Sequence, residues 1–152
     1  MNEKKRQICS HYETTIDRVK KYYSLSEDKW RMPIEEGKWT IAEVIGHLIP
    51  WDEFILKQRI PYFFQDNQLP KGPDAEIVNN QAAAKSRERS KEETINKFIS
   101  VREDLIGALK NFEDSLWEQE FTIGDSKLSL YSYFSGMAKH DIHHFEQIER
   151  IV

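Results

Sequence analysis

The sequence predicts an all-α protein, a four-helix bundle with a long crossover between its second and third helices. Three observations carry this. Apolar residues recur at helical spacing in four separate segments. Two helix starts are marked by a hydroxyl residue followed three positions later by glutamate, at Thr40/Glu43 and Ser90/Glu93. Between the second and third patterns, residues 65–77 hold Pro70, Gly72 and Pro73 and read as the longest loop. A chain of 152 residues has the size of one ordinary domain, expected here over residues 1–152. It is long enough to bury about two thirds of its unfolded surface without disulfides.

The first helix is expected from Glu3 to Ser24, with Ile8, Tyr12, Thr15, Ile16, Val19, Tyr22 and Tyr23 on one face. His11 falls at the edge of that face and reads as a surface histidine. Leu25 to Lys38 contains Pro33 and Gly37 and reads as a loop. Trp39 precedes the Thr40 cap and packs back on the first turn, so the second helix starts at Ile41. Its apolar positions are Ile41, Val44, Ile45, Leu48, Trp51 and Ile55. Pro50 removes the bond to the Gly46 carbonyl, which predicts a kink just after His47. Pro61 marks a further bend or the helix end. A short helix over Ala75 to Arg87 fits inside the crossover. The third bundle helix follows Ser90 and places Ile95, Phe98, Ile99, Leu105, Ile106 and Leu109 on one stripe, ending near Phe112. Phe121-Thr122-Ile123 with Gly124-Asp125 suggests a short extended arm and turn. The last helix starts after Ser129 and buries Leu130, Tyr133, Phe134, Met137, Phe145, Ile148 and Ile151.

Composition excludes several classes of function. Lys and Arg number 22 against 26 Asp and Glu, a net charge of −4, and mean hydropathy is −0.70. A weakly acidic chain argues against general nucleic-acid binding, which depends on neutralising phosphates. The single cysteine, Cys9, allows no internal disulfide framework and no cysteine-built zinc site. It fits a reducing compartment. The N-terminus is charged, with no apolar core of a signal peptide, and no apolar run is long enough to span a membrane. Cytoplasm is the expected location.

Three of the five histidines, His140, His143 and His144, cluster in the last turns of the chain. With His140 at zero on a helical wheel, His144 falls at about 40° and His143 at about 300°. The apolar arc is centred near about 80°. His140 and His144 therefore lie on the inward side, and His143 points to solvent. Two histidines at i and i+4 share one face, a spacing that lets two imidazoles reach one metal ion. Such a pair alone reads more simply as a polar rim on a bundle helix. His47 sits at the border of the buried arc of the second helix, where a lone histidine is most simply a hydrogen-bonded core residue. Opposite the pair, it would complete three neutral nitrogen ligands. Three protein ligands with an open position describe a catalytic rather than a closed structural metal site. Asp141 falls inside the apolar arc, where a carboxylate needs a partner. The partner is either the second ring nitrogen of a metal-bound histidine, or the Trp39 indole or helix-start N–H groups.

Two of these segments resemble a known family. Trp39-Thr40-Ile41-Ala42-Glu43-Val44-Ile45-Gly46-His47-Leu48 is similar to the opening of the second helix in the DinB-like (damage-inducible) superfamily. His140-Asp141-Ile142-His143-His144-Phe145-Glu146-Gln147-Ile148 resembles its last-helix motif, H-D-x-H-H-x-x-Q-I. Asn79-Asn80 resembles the stretch before its third helix. The resemblance covers nearly the whole chain and implies a bundle of the DinB/YfiT type with up-down-down-up connections. It implies a divalent metal, zinc or nickel, on His47, His140 and His144. It also implies a homodimer.

The resemblance leads to a stress-response or detoxification enzyme. The first expectation is a transferase that adds a low-molecular-weight thiol (bacillithiol, mycothiol or glutathione) to an electrophile such as an epoxide or a halogenated toxin. A hydrolase with metal-activated water is the alternative, and a non-enzymatic metal- or ligand-binding protein the third reading. Trp51, Phe54, Tyr133 and Met137 flank the histidines by helical spacing and are the candidate pocket walls. Glu43 lies one turn before His47, although its capping role already accounts for it. Asp52, just past Pro50, is the candidate to take a proton from water. Cys9, beside the core face of the first helix, is not expected to be the nucleophile.

Overall fold

The computed structural model describes residues 2–65, 69 and 71–152. Helix α1 spans Glu3–Lys21, capped by the Asn2 side chain on the amides of Lys4 and Lys5, and tightens into a 3-10 turn at Tyr22–Ser24. A short helix α2, Glu27–Trp30, delivers Trp30 fully into the core. Helix α3 spans Ile41–Phe54 and opens on the expected reciprocal cap of Thr40 and Glu43. It is α-helical through Pro50; the backbone changes register later, at a π-helical turn over Ile55–Arg59 followed by a 3-10 turn that holds Pro61. Pro70 of the expected crossover loop lies outside the described residues. Within the crossover, α4 runs Ala75–Glu88 from an Asp74 cap.

Helix α5, Lys91–Asn111, starts on the Ser90/Glu93 capping box. The extended arm is a two-stranded antiparallel hairpin, β1 Glu120–Ile123 and β2 Ser126–Ser129. Gly124 makes its turn at φ +59°, a left-handed conformation that glycine adopts without a Cβ penalty. Helix α6 follows directly, Leu130–Glu149, capped by Ser129.

The bundle consists of α1, α3, α5 and α6. Lys5 near the start of α1 donates to the Phe112 carbonyl at the end of α5 (2.7 Å), so these helices are antiparallel. On the other side of α1, Gln7 meets Tyr131 and Tyr22 meets Glu149, so α1 and α6 are parallel. The first turns of α3 and α5 share one core cluster, Ile41 and Ile45 with Ile95 and Phe98, whereas Ile55 joins Leu105 and Leu109 in a second. These two helices are also parallel, which gives the up-down-down-up order. Parallel neighbours cannot be joined by a tight turn, so the crossover has to return the length of the bundle. Helix α4 makes that return against α3. A Cβ at Gly46 would come within 2.7 Å of the Ser86 Cβ, so the two helices approach closely only because residue 46 has none. Leu69 of the crossover pairs with β1 through a parallel bridge to Ile123. That contact ties crossover and hairpin together over one end of the bundle.

Candidate metal centre

Helices α3 and α6 bring His47, His140 and His144 together. One nitrogen from each lies within 4.8 Å of the other two. His47 is 2% exposed, and its Nδ1 is bonded to the Val44 carbonyl one turn back at 2.5 Å. A carbonyl only accepts, so Nδ1 carries the proton and Nε2 is left as a lone pair. His144 is fixed in the same way: its Nδ1 lies 3.0 Å from Gln147 Oε1. The His144 and His140 Nε2 atoms are 3.2 Å apart. Two imidazoles on one tetrahedral zinc place their nitrogens about 3.3 Å apart, given Zn–N bonds of about 2.0–2.1 Å. The pair therefore stands at ligand separation.

The charge state also suits a metal. Burial, reinforced by the neighbouring histidines, pushes His47 down to about 4. Burial lowers His140 and His144 as well. Neutral imidazoles are what a divalent ion binds. The donor set, its tautomers and its spacing fit such an ion. His140 is exposed, as His143 is, but only His140 joins the cluster; the His143 ring lies tilted beside that of His144, with centroids 5.5 Å apart.

The carboxylates read from the sequence are placed differently. Asp141 bonds neither a cluster histidine nor Trp39. It accepts from Arg102 Nη1 at 2.8 Å, and its other partner is His11 Nε2 at 2.9 Å. His11 is accordingly not a plain surface histidine: its side chain is 16% exposed and turned inward onto Asp141. Asp52 receives two bonds from Arg102, at 2.8 and 2.9 Å. Held in that fork, it is not free to take a proton from water at the metal. Glu43 completes its capping box and accepts from Arg87 at 2.5 Å. Its carboxyl is held below the usual range by the Thr40 and Arg87 bonds, although burial opposes them.

Arg102 is the residue that reading the sequence missed. It is 1% exposed and lies between the rings of Tyr12 and Phe98. The signal was present: it occupies a slot on the buried stripe of α5, four residues after Phe98 and three before Leu105. A charge on that stripe requires buried counter-charges, and Asp52 and Asp141 are the carboxylates on the facing arcs.

His47 and His140 open onto a cavity of about 600 Å³ whose walls include Trp51, Phe54, Tyr133 and Met137. The far wall comes from the crossover and hairpin: Gly72, Ile123, Ser126 and Leu128. Arg59 and Asn79 also line it; Arg59 lies over the Phe54 ring and Asn79 accepts from the Trp51 indole at 2.7 Å. Asn79 entered the reading of the sequence only through the Asn79-Asn80 resemblance, without a place in the pocket, and Arg59 was not singled out.

The family model of the DinB superfamily matches residues 11–148. The chain belongs to the DinB superfamily. Among solved structures, this DinB-superfamily chain is similar to YfiT from Bacillus subtilis, described as a probable metal-dependent hydrolase with an unusual four-helix bundle topology. The match has a TM-score of 0.80 at 15% sequence identity and covers 99% of this chain and 87% of that one. At that identity the likeness speaks for the fold. No curated protein matches the sequence.

Proposed function

We propose that the protein is a metal-dependent enzyme that transfers a low-molecular-weight thiol to an electrophilic small molecule, with zinc or nickel held by His47, His140 and His144. The observation that carries this reading is the convergence of three imidazoles, two of which, His47 and His140, line a largely apolar cavity. His47, His140 and His144 would hold the ion, which would supply a Lewis acid able to lower the pKa of a thiol bound to it. The protein residues do the rest. Val44 and Gln147 hold the tautomers of His47 and His144. Trp51, Phe54, Tyr133 and Met137 offer an apolar surface for the body of the electrophile. Burial raises the Tyr133 phenol, which keeps it protonated and able to donate a hydrogen bond. In the transfer the thiol loses its proton to solvent and sulfur bonds to carbon; a halide departs with the electron pair of the broken bond, or the opened epoxide oxygen keeps that pair, stays on the product and takes up a proton.

Hydrolysis is the second reading, supported by the likeness to YfiT and by the same three ligands. It calls for a group to accept the proton of water, and Asp52, Glu43 and Asp141 are each committed to cationic partners. The thiol reading is preferred because it calls for no carboxylate at the metal. The homodimer and the cytoplasmic location rest on the family resemblance and the reading of the sequence.

The test begins with protein loaded with zinc or nickel and incubated with a panel of thiols and electrophiles. Conjugates that require both metal and thiol, and that disappear in H144A, are the expected result. Product formed without thiol would move the assignment to hydrolysis. Tight metal binding with no turnover across the panel would leave a binding protein.

A further inference from the structure

The metal histidines sit on two helices, and the described contacts between α3 and α6 at this level are few. Deeper in the core, a buried polar cluster links both helices. Arg102 of α5 forks onto Asp52 of α3 and reaches Asp141 of α6 through Nη1 at 2.8 Å and Nη2 at 3.4 Å. Its Nη1 also donates to Thr15 of α1 at 3.1 Å, and His11 of α1 closes the far side of Asp141. Every bundle helix contributes a side chain. All of this lies next to the ligands: Asp141 immediately follows His140, and Asp52 is five residues after His47.

We propose that Arg102 is a positioning residue for the metal site, setting the rotation of α6 against α3 through Asp141 and Asp52 so that His140 and His144 face His47.

Geometry decides why this matters. On the α6 wheel, His140 lies about 100° to one side of Asp141 and His144 about 60° to the same side. Pinning Asp141 therefore sets the direction of both imidazoles together. Side-chain ends travel about 5–6 Å from a helix axis, so a rotation of about 20° displaces a ring nitrogen by about 2 Å. A metal tolerates ligand errors of about 0.2 Å. Hydrophobic packing alone is tolerant of such slips, since apolar contacts have no direction. A guanidinium fork has fixed geometry and donates to two carboxylates only in its own plane. The simpler reading is that the cluster only fills the core. Against it, buried ion triads can often be replaced by apolar side chains without loss of stability, so packing does not require these charges. The inference rests on the three-histidine reading, but it has a readout independent of any metal.

The experiment compares wild type with the apolar replacement D52L/R102M/D141L, which strands no charge in the core, and with R102K, whose ammonium lacks the fork. Folding is checked by far-ultraviolet circular dichroism. In metal-free protein, nuclear Overhauser contacts between the His47 and His144 rings, whose centroids lie 4.7 Å apart, are expected in wild type and lost in both variants. Zinc affinity, measured by competition with a chromophoric chelator, should weaken on the order of tenfold or more in both. Should the apolar variant be unfolded, R102K carries the comparison. Ring contacts retained in a folded variant, with zinc affinity within about twofold of wild type, would overturn the proposal. Wild-type ring contacts without zinc binding would leave the positioning role standing and defeat the metal reading instead.

Discussion

His47 joins two properties in one side chain: it is buried, and its ring is kept neutral. Its pKa of about 4, against an ordinary value near 6.5, means that the unfolded chain binds more protons at this position between those two values. In metal-free protein the stability due to His47 is therefore full above about pH 6.5 and is lost as pH falls toward 4, by about 3 kcal/mol in all. Urea unfolding at pH 7.5 and 4.5 should show this loss in wild type and a flatter response in H47Q. The same protons compete with the metal, so affinity should also fall with acidification. H144A should weaken zinc binding sharply and H143A should leave it nearly unchanged, as isothermal titration can establish. At Arg102 the single change R102M strands two buried carboxylates and should cost about 3–5 kcal/mol in chemical denaturation. Single residues were unevenly legible. The helical wheel separated His143 from His140 and His144 because the face a residue shares follows from its position on one helix; exposure does not separate them, since His140 is exposed as His143 is. The partners of His11 and Asp141 were not legible, since each lies on another helix and no local pattern records which helix faces which.

At the scale of elements, starts were read better than interiors. Both Ser/Thr-x-x-Glu boxes mark the first residue of α3 and α5, because a cap is a local hydrogen-bond exchange written in four residues. The hairpin was visible only as an extended arm and a turn; its register depends on pairing across Gly124. The change of helical geometry falls at Ile55–Arg59 rather than at Pro50, and nothing local to that segment announces a π turn. The contact between α3 and α4 gives the element-scale prediction. G46A forces a methyl group to within 2.7 Å of the Ser86 Cβ and should destabilise by about 1–3 kcal/mol. The double change G46A/S86G removes the clash and should recover most of that loss in a thermal-melt cycle.

For the whole molecule, the crossover is what allows two parallel helices to be neighbours, and its length was readable because the proline- and glycine-bearing stretch is so long. The meeting of α3 with α6 across the bundle was raised by the border position of His47 opposite the His140/His144 pair and supplied only by the family resemblance, because three-dimensional adjacency of helices from opposite halves has no local signature. Binding at that meeting point should stabilise the entire fold. Zinc at about one hundred times its dissociation constant adds about 2.7 kcal/mol, a rise of roughly 5–10 °C in melting temperature for a chain of this size. H47A/H140A/H144A should show no such rise.

The bridge from Leu69 to the hairpin has a consequence for engineering. The cavity has two walls of different origin: one is helical and carries the histidines, and the other is built from crossover and hairpin. The second can be treated as a replaceable cassette. A chimaera that exchanges residues 120–129 together with their crossover partner should admit a different guest while the three histidines stay in their places.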